Sequence, residues 1–315
     1  MSAGNRHESK PAWPGVVLVA AAGILWGTLG IVYTLAIRQG IDTSALAFWR
    51  ASLAAIAMVG SLGVFRPRLL RIRLRDVPFF VAFGVLSIGA VSVVYILAVD
   101  RVGVATAAVL LYTAPAWVTI LAWQLYDEPL TRIKVIALLL AFAGTALAAE
   151  AHNPVSLRLN ASGLFFGLAS GFTYAMYTIL GRRALVNYSP ITTVTYSFAF
   201  AALALVPLIS VQDVRFVIDG PPALWATLAA LALGPTVTSF MLYTHGLEYI
   251  EAGAASIIAT LEVVSATVLG FLVLDQRLTP VQTAGGILIL IAVTLLALSR
   301  RRPGRKPDLT PSSVE

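Results

Sequence analysis

Two ionisable side chains lie inside long apolar stretches of this sequence. Glu262 is midway between Ile250 and Leu274, and Arg50 lies near the start of the stretch 43–65. A charge surrounded by hydrocarbon is costly, so each of these side chains is a candidate functional group. For Glu262 the alternatives are a neutral carboxyl hydrogen-bonded between helices, and a site for a proton or a substrate ammonium. For Arg50 they are a bond to exposed carbonyls of a broken helix or a lipid headgroup, and a pair with Glu262.

Aromatic and hydroxyl side chains recur at helical spacing and predict the lining of a cavity that suits a partly apolar solute. For most single aromatics the alternative is packing between helices. The candidate substrate-binding residues are Trp26, Thr113, Trp117, Tyr174, Tyr177, Ser239, Tyr243 and Glu262. Prolines inside helices free backbone carbonyls, as in discontinuous transporter helices. The candidates for a structural or gating role are Arg50, Pro115 and Pro235.

Enzyme chemistry finds little support in the residue types. The sequence has no Cys, and its three His are far apart in the chain. No set of Asp, Glu and His has metal-ligand spacing, and no Gly-rich loop predicts a phosphate site. The nearest cluster, His245 with Glu248 and Glu251, is interpreted as a solvated loop. We therefore expect no enzyme, no metal and no cofactor; an intramembrane enzyme and a purely structural membrane protein are the alternatives of another class.

The elements that must position these residues are membrane helices. Hydrophobic residues make up 58% of the chain and charged residues 12%, whereas a soluble domain carries about 25% charged residues. The stretch Pro14–Ile37 contains no charged residue and is long enough, as a helix, to cross a hydrocarbon layer of about 30 Å. The sequence therefore predicts an all-α integral membrane protein.

Ten transmembrane helices are predicted, at approximately 14–37, 43–65, 77–99, 102–125, 130–149, 161–181, 189–210, 222–246, 250–274 and 279–299. One constant shift, which carries Asp127 onto Asp275, also carries Gly15 onto Gly163 and Gly23 onto Gly171. A constant shift over most of the chain indicates an internal duplication. Because each copy has an odd number of spans, the copies must enter the membrane in opposite orientations, as inverted repeats do.

The predicted segments follow from this duplication. They are an N-terminal tail 1–13, a first five-helix repeat 14–149, an external linker 150–160, a second five-helix repeat 161–299 and a basic C-terminal tail 300–315. Of the 22 Lys and Arg residues, most fall in alternate connections and in the two tails. The connections on the opposite side hold only Arg38, Arg101, Arg158, Arg215 and Arg277. Because Lys and Arg accumulate in cytoplasmic loops, both termini are predicted to be cytoplasmic.

The net charge of +7 is then explained by topology and attraction to anionic lipid. No basic face with base-stacking aromatics lies outside the predicted membrane spans, so nucleic acid is not an expected partner. The expected partners are a small-molecule solute and membrane lipid. Three glycines in the first span, Gly23, Gly27 and Gly30, predict close contact with a neighbouring helix.

Short motifs in this order resemble the EamA-type family of drug/metabolite transporters, over about residues 14–299. The motifs of the first copy are Leu25-Trp26-Gly27-Thr28, Ala47-Phe48-Trp49-Arg50, Thr113-Ala114-Pro115 and Asp127-Glu128-Pro129-Leu130-Thr131. The second copy contributes Leu261-Glu262, Asp275 and Leu278-Thr279. It departs from the family in having Val263 where Pro often follows the Glu, and Gln276 in place of an acidic residue.

The resemblance implies the ten-helix inverted-repeat fold and efflux of small metabolites. It predicts an exporter in a bacterial-type inner (plasma) membrane that moves amino acids or similar neutral, partly apolar solutes by alternating access. The alternative is an efflux carrier for drugs and toxic compounds. Because the sequence has no nucleotide motif, transport would use a gradient, with proton coupling at Glu262 among the options, or simple facilitation.

Overall fold

The computed structural model describes residues 11–150, 160–274 and 277–299. Every regular element within these ranges is helical, as the sequence predicts. The α-helices are α1 Trp13–Trp26, α2 Leu29–Arg38, α3 Thr43–Phe65, α4 Val77–Gly84, α5 Ala90–Leu111, α6 Ala114–Tyr126, α7 Arg132–Ala148, α8 Ala161–Ala184, α9 Pro190–Leu205, α10 Val211–Ile218, α11 Pro222–Leu231, α12 Ser239–Gly246, α13 Ala252–Ala259, α14 Leu261–Leu274 and α15 Pro280–Ser299. Several join into longer helical stretches through π or 3₁₀ turns.

Eight of the described helical stretches are long and apolar enough to cross a membrane. They are Trp13–Arg38, Thr43–Phe65, Leu74–Leu111, Ala161–Ala184, Pro190–Leu208, Pro222–Gly246, Ala252–Val273 and Pro280–Ser299. Runs of this length and composition are stable in hydrocarbon because a helix satisfies its own backbone hydrogen bonds. The chain is therefore an integral membrane protein, and the count of ten spans stays a prediction.

Helices end after Trp26, after Leu111 and after Ala259, and at each of these interruptions another helix begins within three residues. At each interruption a threonine hydroxyl donates to the carbonyl three residues earlier. These bonds are Thr28 to Leu25 (2.7 Å), Thr113 to Leu110 (2.6 Å) and Thr260 to Ile257 (2.6 Å). Inside a membrane no water is available to bond a freed carbonyl. A threonine hydroxyl that donates to this carbonyl lowers the energetic cost of the break. The chain thus has helix ends within its membrane-spanning segments.

Glycines bring α1 against α12, α13 and α14. A Cβ at Gly15 would lie 2.6 Å from Tyr249 Cβ, and one at Gly27 would lie 2.5 Å from Ser265 Cβ. Backbones approach this closely only where a side chain is missing, which is how membrane helices pack. The same prediction is wrong for Gly30, because a Cβ there would meet nothing within 4 Å.

The second half of the chain begins with a similar arrangement. In α8, Cβ atoms at Gly163 and Gly167 would collide with Val102 and Leu110 of α5, at 2.1 Å and 2.2 Å. Helices α7 and α15 meet at Gly144 and Gly285, where a Cβ on either glycine would lie within 2.6 Å of the other's carbonyl oxygen. These glycine contacts hold neighbouring helices at short backbone distances.

Candidate functional site

A narrow cavity lies among α1, α6, α8, α12 and α13, at the level of the helix interruptions. Its lining is Trp26, Tyr112, Ala114, Pro115, Val118, Tyr174, Ala175, Tyr177, Thr178, Phe240, Tyr243, Ser256, Ala259, Thr260 and Glu262. The volume is about 30 Å³, which is room for a water molecule or two. A metabolite would fit only after the surrounding helices moved apart.

Glu262 supplies the carboxylate of this cavity. It lies in the first turn of α14, directly after the interruption at Thr260. The Tyr174 hydroxyl donates to Glu262 Oε2 at 3.3 Å, and Tyr112 lines the same cavity. The partial positive charge of a helix N-terminus favours an acidic side chain there. The site therefore holds an acceptor able to take a proton or to bind a cationic group.

Aromatic rings form the opposite wall. The Trp26 ring lies 5.0 Å from Phe240 and 5.2 Å from Tyr243, and Tyr177 lies 4.7 Å from Phe240, between ring centroids. The hydroxyl of Tyr177 pairs with Thr244 Oγ1 at 2.8 Å, and that of Tyr243 pairs with Thr178 Oγ1 at 2.7 Å. Because both hydroxyls are occupied, these tyrosines present mainly ring surface. Such a wall contacts apolar groups and the cationic end of a ligand.

The structure brings together five of the eight predicted substrate-binding residues and separates the other three. The five that line the cavity are Trp26, Tyr174, Tyr177, Tyr243 and Glu262. Trp117 lies outside the lining, edge-to-face against Phe172 at 5.6 Å. The Thr113 hydroxyl is occupied by Leu110. Ser239 is buried, outside the lining, and its hydroxyl has no hydrogen-bond partner among the described residues.

The three residues predicted for structural or gating roles occupy different places in the fold. Pro115 lines the cavity at the start of α6. Pro235 is buried within the π-helical turn Ala232–Thr238, which joins α11 to α12. Arg50 is partly buried on α3, and its Nε is buried without a hydrogen-bond partner in the described part of the chain.

Sequence reasoning missed Tyr112, Thr178 and Phe240 as parts of the lining. A signal for Tyr112 was present, because the shift between the copies carries Tyr112 onto Thr260, and both residues lie at a helix interruption. Thr178 follows Tyr174 by one helical turn, and Phe240 precedes Tyr243 by one, so both share a face with a predicted residue. Helical spacing alone did not separate them from the residues that pack between helices.

A second polar cluster lies where α6 ends, at the predicted cytoplasmic end. Glu128 accepts hydrogen bonds from the backbone N–H groups of Ala252 at 2.6 Å and Gly253 at 3.1 Å. The Lys134 ammonium lies 3.6 Å from Glu128 Oε2 and 2.9 Å from Glu251 Oε2. We call Glu128, Lys134 and Glu251 the charge cluster. The interpretation of Glu251 as part of a solvated loop is wrong, since it pairs with a buried lysine.

The sequence of this chain is similar to the sequences of known transporters. The EamA-like transporter family matches residues 13–149 and 161–298. An uncharacterized inner membrane transporter of Salmonella typhimurium, YicL, is 29% identical over 92% of this chain and 97% of its own length. A probable terminal-alkyne amino-acid exporter of Streptantibioticus cattleyicolor is 26% identical over 95% of this chain and 99% of its own. A crystal structure with 19% identity has a TM-score of 0.72 and covers 92% of this chain and 99% of that one, which shows the same fold.

Proposed function

Because this chain belongs to the EamA-like transporter family, we propose that it is an inner-membrane exporter of amino acids or similar neutral, partly apolar metabolites. The observation that carries the proposal is the cavity itself. The Glu262 carboxylate, which accepts a hydrogen bond from Tyr174, lines one cavity together with a cluster of aromatic rings, beside helix ends that lie within apolar stretches. The name of the Streptantibioticus cattleyicolor relative, a probable amino-acid exporter, supports the same class of solute.

The arrangement suits a solute with an ammonium group. Glu262 would accept hydrogen bonds from the ammonium, and the faces of Trp26 and Tyr243 would surround its carbon atoms. We propose that Arg50, a partly buried cation on α3, provides the positive charge that would favour a carboxylate on the same solute. A zwitterionic amino acid combines both groups with no net charge.

Alternating access would supply the widening that the narrow cavity requires. We propose that the units that move are two inverted five-helix repeats, 14–149 and 161–299. Matched contacts support this proposal: Gly15 faces Tyr249 and Ile250, while Gly163 faces Arg101 and Val102. The shift between the copies carries each of these residues onto its counterpart. Movement of one repeat against the other exposes a central site to alternate sides of the membrane.

A count of ten spans is supported by two further features. The stretch Leu74–Leu111 is interrupted at Gly103, whose φ of 79° lies in the left-handed region that favours glycine. A reversal there would divide it into the predicted third and fourth spans, the latter continuing through α6. Helix α7 has 17 residues, which is at the lower limit for a span.

The second candidate function is efflux of bulky apolar compounds. The observation in its favour is the share of aromatic rings in the lining, since Trp26, Tyr177, Phe240 and Tyr243 form one continuous wall. Such a wall binds many apolar shapes. A drug carrier of this kind would not require a solute ammonium and carboxylate, so the two functions differ in what they transport.

Purified protein in liposomes with an imposed pH gradient tests the proposal. We expect gradient-driven accumulation of at least one member of a panel of radiolabelled amino acids. Glu262→Gln should abolish that accumulation and spare exchange of solute already bound, because the amide can neither take up a proton nor attract an ammonium. The matched control is Glu248→Gln, which removes an exposed carboxylate and should transport normally.

Two outcomes count against the proposal. Near-normal uphill transport by Glu262→Gln would reduce Glu262 to a packing role. Accumulation of cationic dyes without any amino acid would favour the drug carrier instead.

A further inference from the structure

We infer that the charge cluster is the cytoplasmic gate of the transporter, a contact that must break each time the central cavity opens to the cytoplasm. The inference rests on the proposed transport function and assigns a role to residues outside the cavity. It starts from the position of α13. The N-terminus of this helix is held by Glu128, and its other end supplies Ser256 and Ala259 to the cavity.

Glu128 makes a strong contact with α13 although only one side chain is involved. A single carboxylate occupies two backbone N–H groups in the first turn of α13, and an ionised acceptor makes shorter and stronger bonds than a neutral one. Both Glu128 and Lys134 have side chains only 3% exposed, so neither charge is screened by water. An isolated buried charge is costly, and each member of the pair therefore depends on the other.

Other polar contacts surround the charge cluster and close the same end. The Tyr126 hydroxyl donates to the carbonyl of Ile179 at 2.7 Å, joining α6 to α8. The Arg182 guanidinium donates to the carbonyls of Leu247 and Ile250, where α12 ends. The bond from Tyr126 links the two proposed repeats, whereas the bonds from Arg182 join α8 to the end of α12 within the second repeat. A solute could leave the cavity towards the cytoplasm only if α13 moved away from the end of α6.

In the sequence, the positions that correspond to the charge cluster in the other copy carry no charged residue. The shift between the copies carries Glu128 onto Gln276 and Lys134 onto Gln282, and the residue that corresponds to Glu251 is Gly103. A neutral amide makes weaker bonds to a helix N-terminus than a carboxylate does. If the repeats exchange conformations, the cytoplasmic gate closes more firmly than the external one. The empty carrier should therefore rest with its cytoplasmic side shut.

The reversibility of the gate follows from hydration. When α13 separates from α6, water from the cytoplasm reaches Glu128, Lys134 and Glu251, and their solvation offsets part of the lost pairing. An apolar contact of the same area would gain nothing from that water. A charged contact at the membrane surface can thus be strong when closed and still open during each cycle.

Cysteine labelling tests the gate without any knowledge of the solute. The chain contains no Cys, so Ala259→Cys places a single thiol in the cavity lining. In inside-out vesicles, Glu128→Gln should raise the rate at which a membrane-impermeant maleimide labels this thiol by about tenfold, the effect of weakening bonds to a charged group. The control Glu248→Gln removes an exposed carboxylate nearby and should leave the rate unchanged. An unchanged rate in membrane-inserted Glu128→Gln would overturn the inference.

A second variant keeps the charge cluster intact, in case Glu128→Gln does not fold. A Cβ at Gly253 would lie 3.4 Å from Thr119 Oγ1, so Thr119→Cys with Gly253→Cys places two thiols between α6 and α13. Oxidation to a disulfide should abolish transport, and dithiothreitol should restore it, while each single variant should be insensitive to oxidation. Full transport with the disulfide formed would refute the gate. Failure of amino-acid transport would leave the labelling result standing, because labelling requires no solute.

Discussion

At the scale of single residues, side chains of similar type differ in whether they line the cavity. Tyr243 and Trp117 are both large aromatics on helices that border the cavity, and the sequence predicts a transport role for both. Tyr243 faces the cavity and packs on Trp26, whereas Trp117 packs on Phe172 outside the lining. The two residues therefore serve as a matched pair.

We expect Tyr243→Ala to lower the initial rate of transport by about tenfold, which corresponds to a loss of about 1.4 kcal/mol of interaction. Trp117→Ala should change the rate by less than about twofold, since a ring outside the site contributes no such interaction. Rates are compared at equal amounts of inserted protein. An equal loss in both variants would show that transport depends on α6 packing rather than on the lining.

At the scale of the secondary-structure elements, glycine contacts determine how closely the helices pack, and caps determine where helices begin. Helices α7 and α15 touch at Gly144 and Gly285, and neither contributes to the cavity. The stability of this contact can be tested apart from transport.

Gly285→Ala would place its Cβ 2.5 Å from the carbonyl oxygen of Gly144 and 2.7 Å from the nitrogen of Ala148. Both are backbone atoms, so the two helices would have to separate. We expect a loss of about 1–3 kcal/mol in the free energy of unfolding. Gly286→Ala is the control, because a Cβ there meets nothing within 4 Å and the change in helix propensity is the same. Equal unfolding midpoints in detergent would contradict this account.

The cap of α3 gives a prediction that depends on pH. Asp42 accepts hydrogen bonds from the Ser44 hydroxyl at 2.5 Å and the Ser44 backbone N–H at 2.8 Å. The hydroxyl bond, followed by the backbone bond, lowers the pKa of Asp42 below its usual value of 3.8. A lowered pKa in the folded state means that the ionised cap stabilises the protein above about pH 4. This contribution is lost as the pH falls through the folded-state pKa.

Asp42→Ala should therefore lower the free energy of unfolding by about 1 kcal/mol at pH 7, the usual value of such a cap. The difference from the parent chain should shrink at a pH below the lowered pKa. Asp42→Asn keeps a side-chain acceptor and serves as the control: its deficit at pH 7 should be smaller, and the contribution of its own cap should not change with pH. Denaturant unfolding at the two pH values makes the measurement, and a deficit that does not depend on pH would exclude the ionised cap.

At the scale of the whole molecule, the membrane imposes the arrangement. Many large apolar side chains are exposed on the helical stretches, and two groups of polar side chains meet in the interior, one in the cavity and one in the charge cluster. The charge cluster joins the two proposed repeats through Glu128 and Ala252, whereas the bond between Tyr174 and Glu262 in the cavity lies within the second repeat. Their separation along one direction is what alternating access requires.

The predicted topology makes a direct test of this arrangement. Reporter fusions at Asn153 and Pro307, both outside the described residues, should report opposite sides of the membrane, with Pro307 in the cytoplasm. An odd number of spans in each repeat demands this result. Reporters on the same side would disprove the inverted repeat and would move the charge cluster away from the cytoplasmic end.

The sequence by itself determined that the chain lies in a membrane, that its fold is all-helical, and where most of its helices begin and end. The prediction of 43–65 for the second span matches α3, Thr43–Phe65, because a hydrophobic run between polar residues is a local property. The sequence also predicted Glu262 as a candidate functional group, from its position near the middle of an apolar stretch alone. Its cost in hydrocarbon does not depend on which helix it faces.

Only the tertiary structure decided which face of each helix lines the cavity. Lipid and neighbouring helices are equally apolar, so hydropathy does not define the rotation of a membrane helix about its axis. This is why spacing alone grouped Trp117 with residues that lie elsewhere, and why it missed Tyr112. The charge cluster shows the same limit, since Glu128 and Ala252 are far apart in the chain and meet only through packing. Hydrogen bonds between distant helices depend on how closely the backbones approach, and the small residues at those contacts decide that distance.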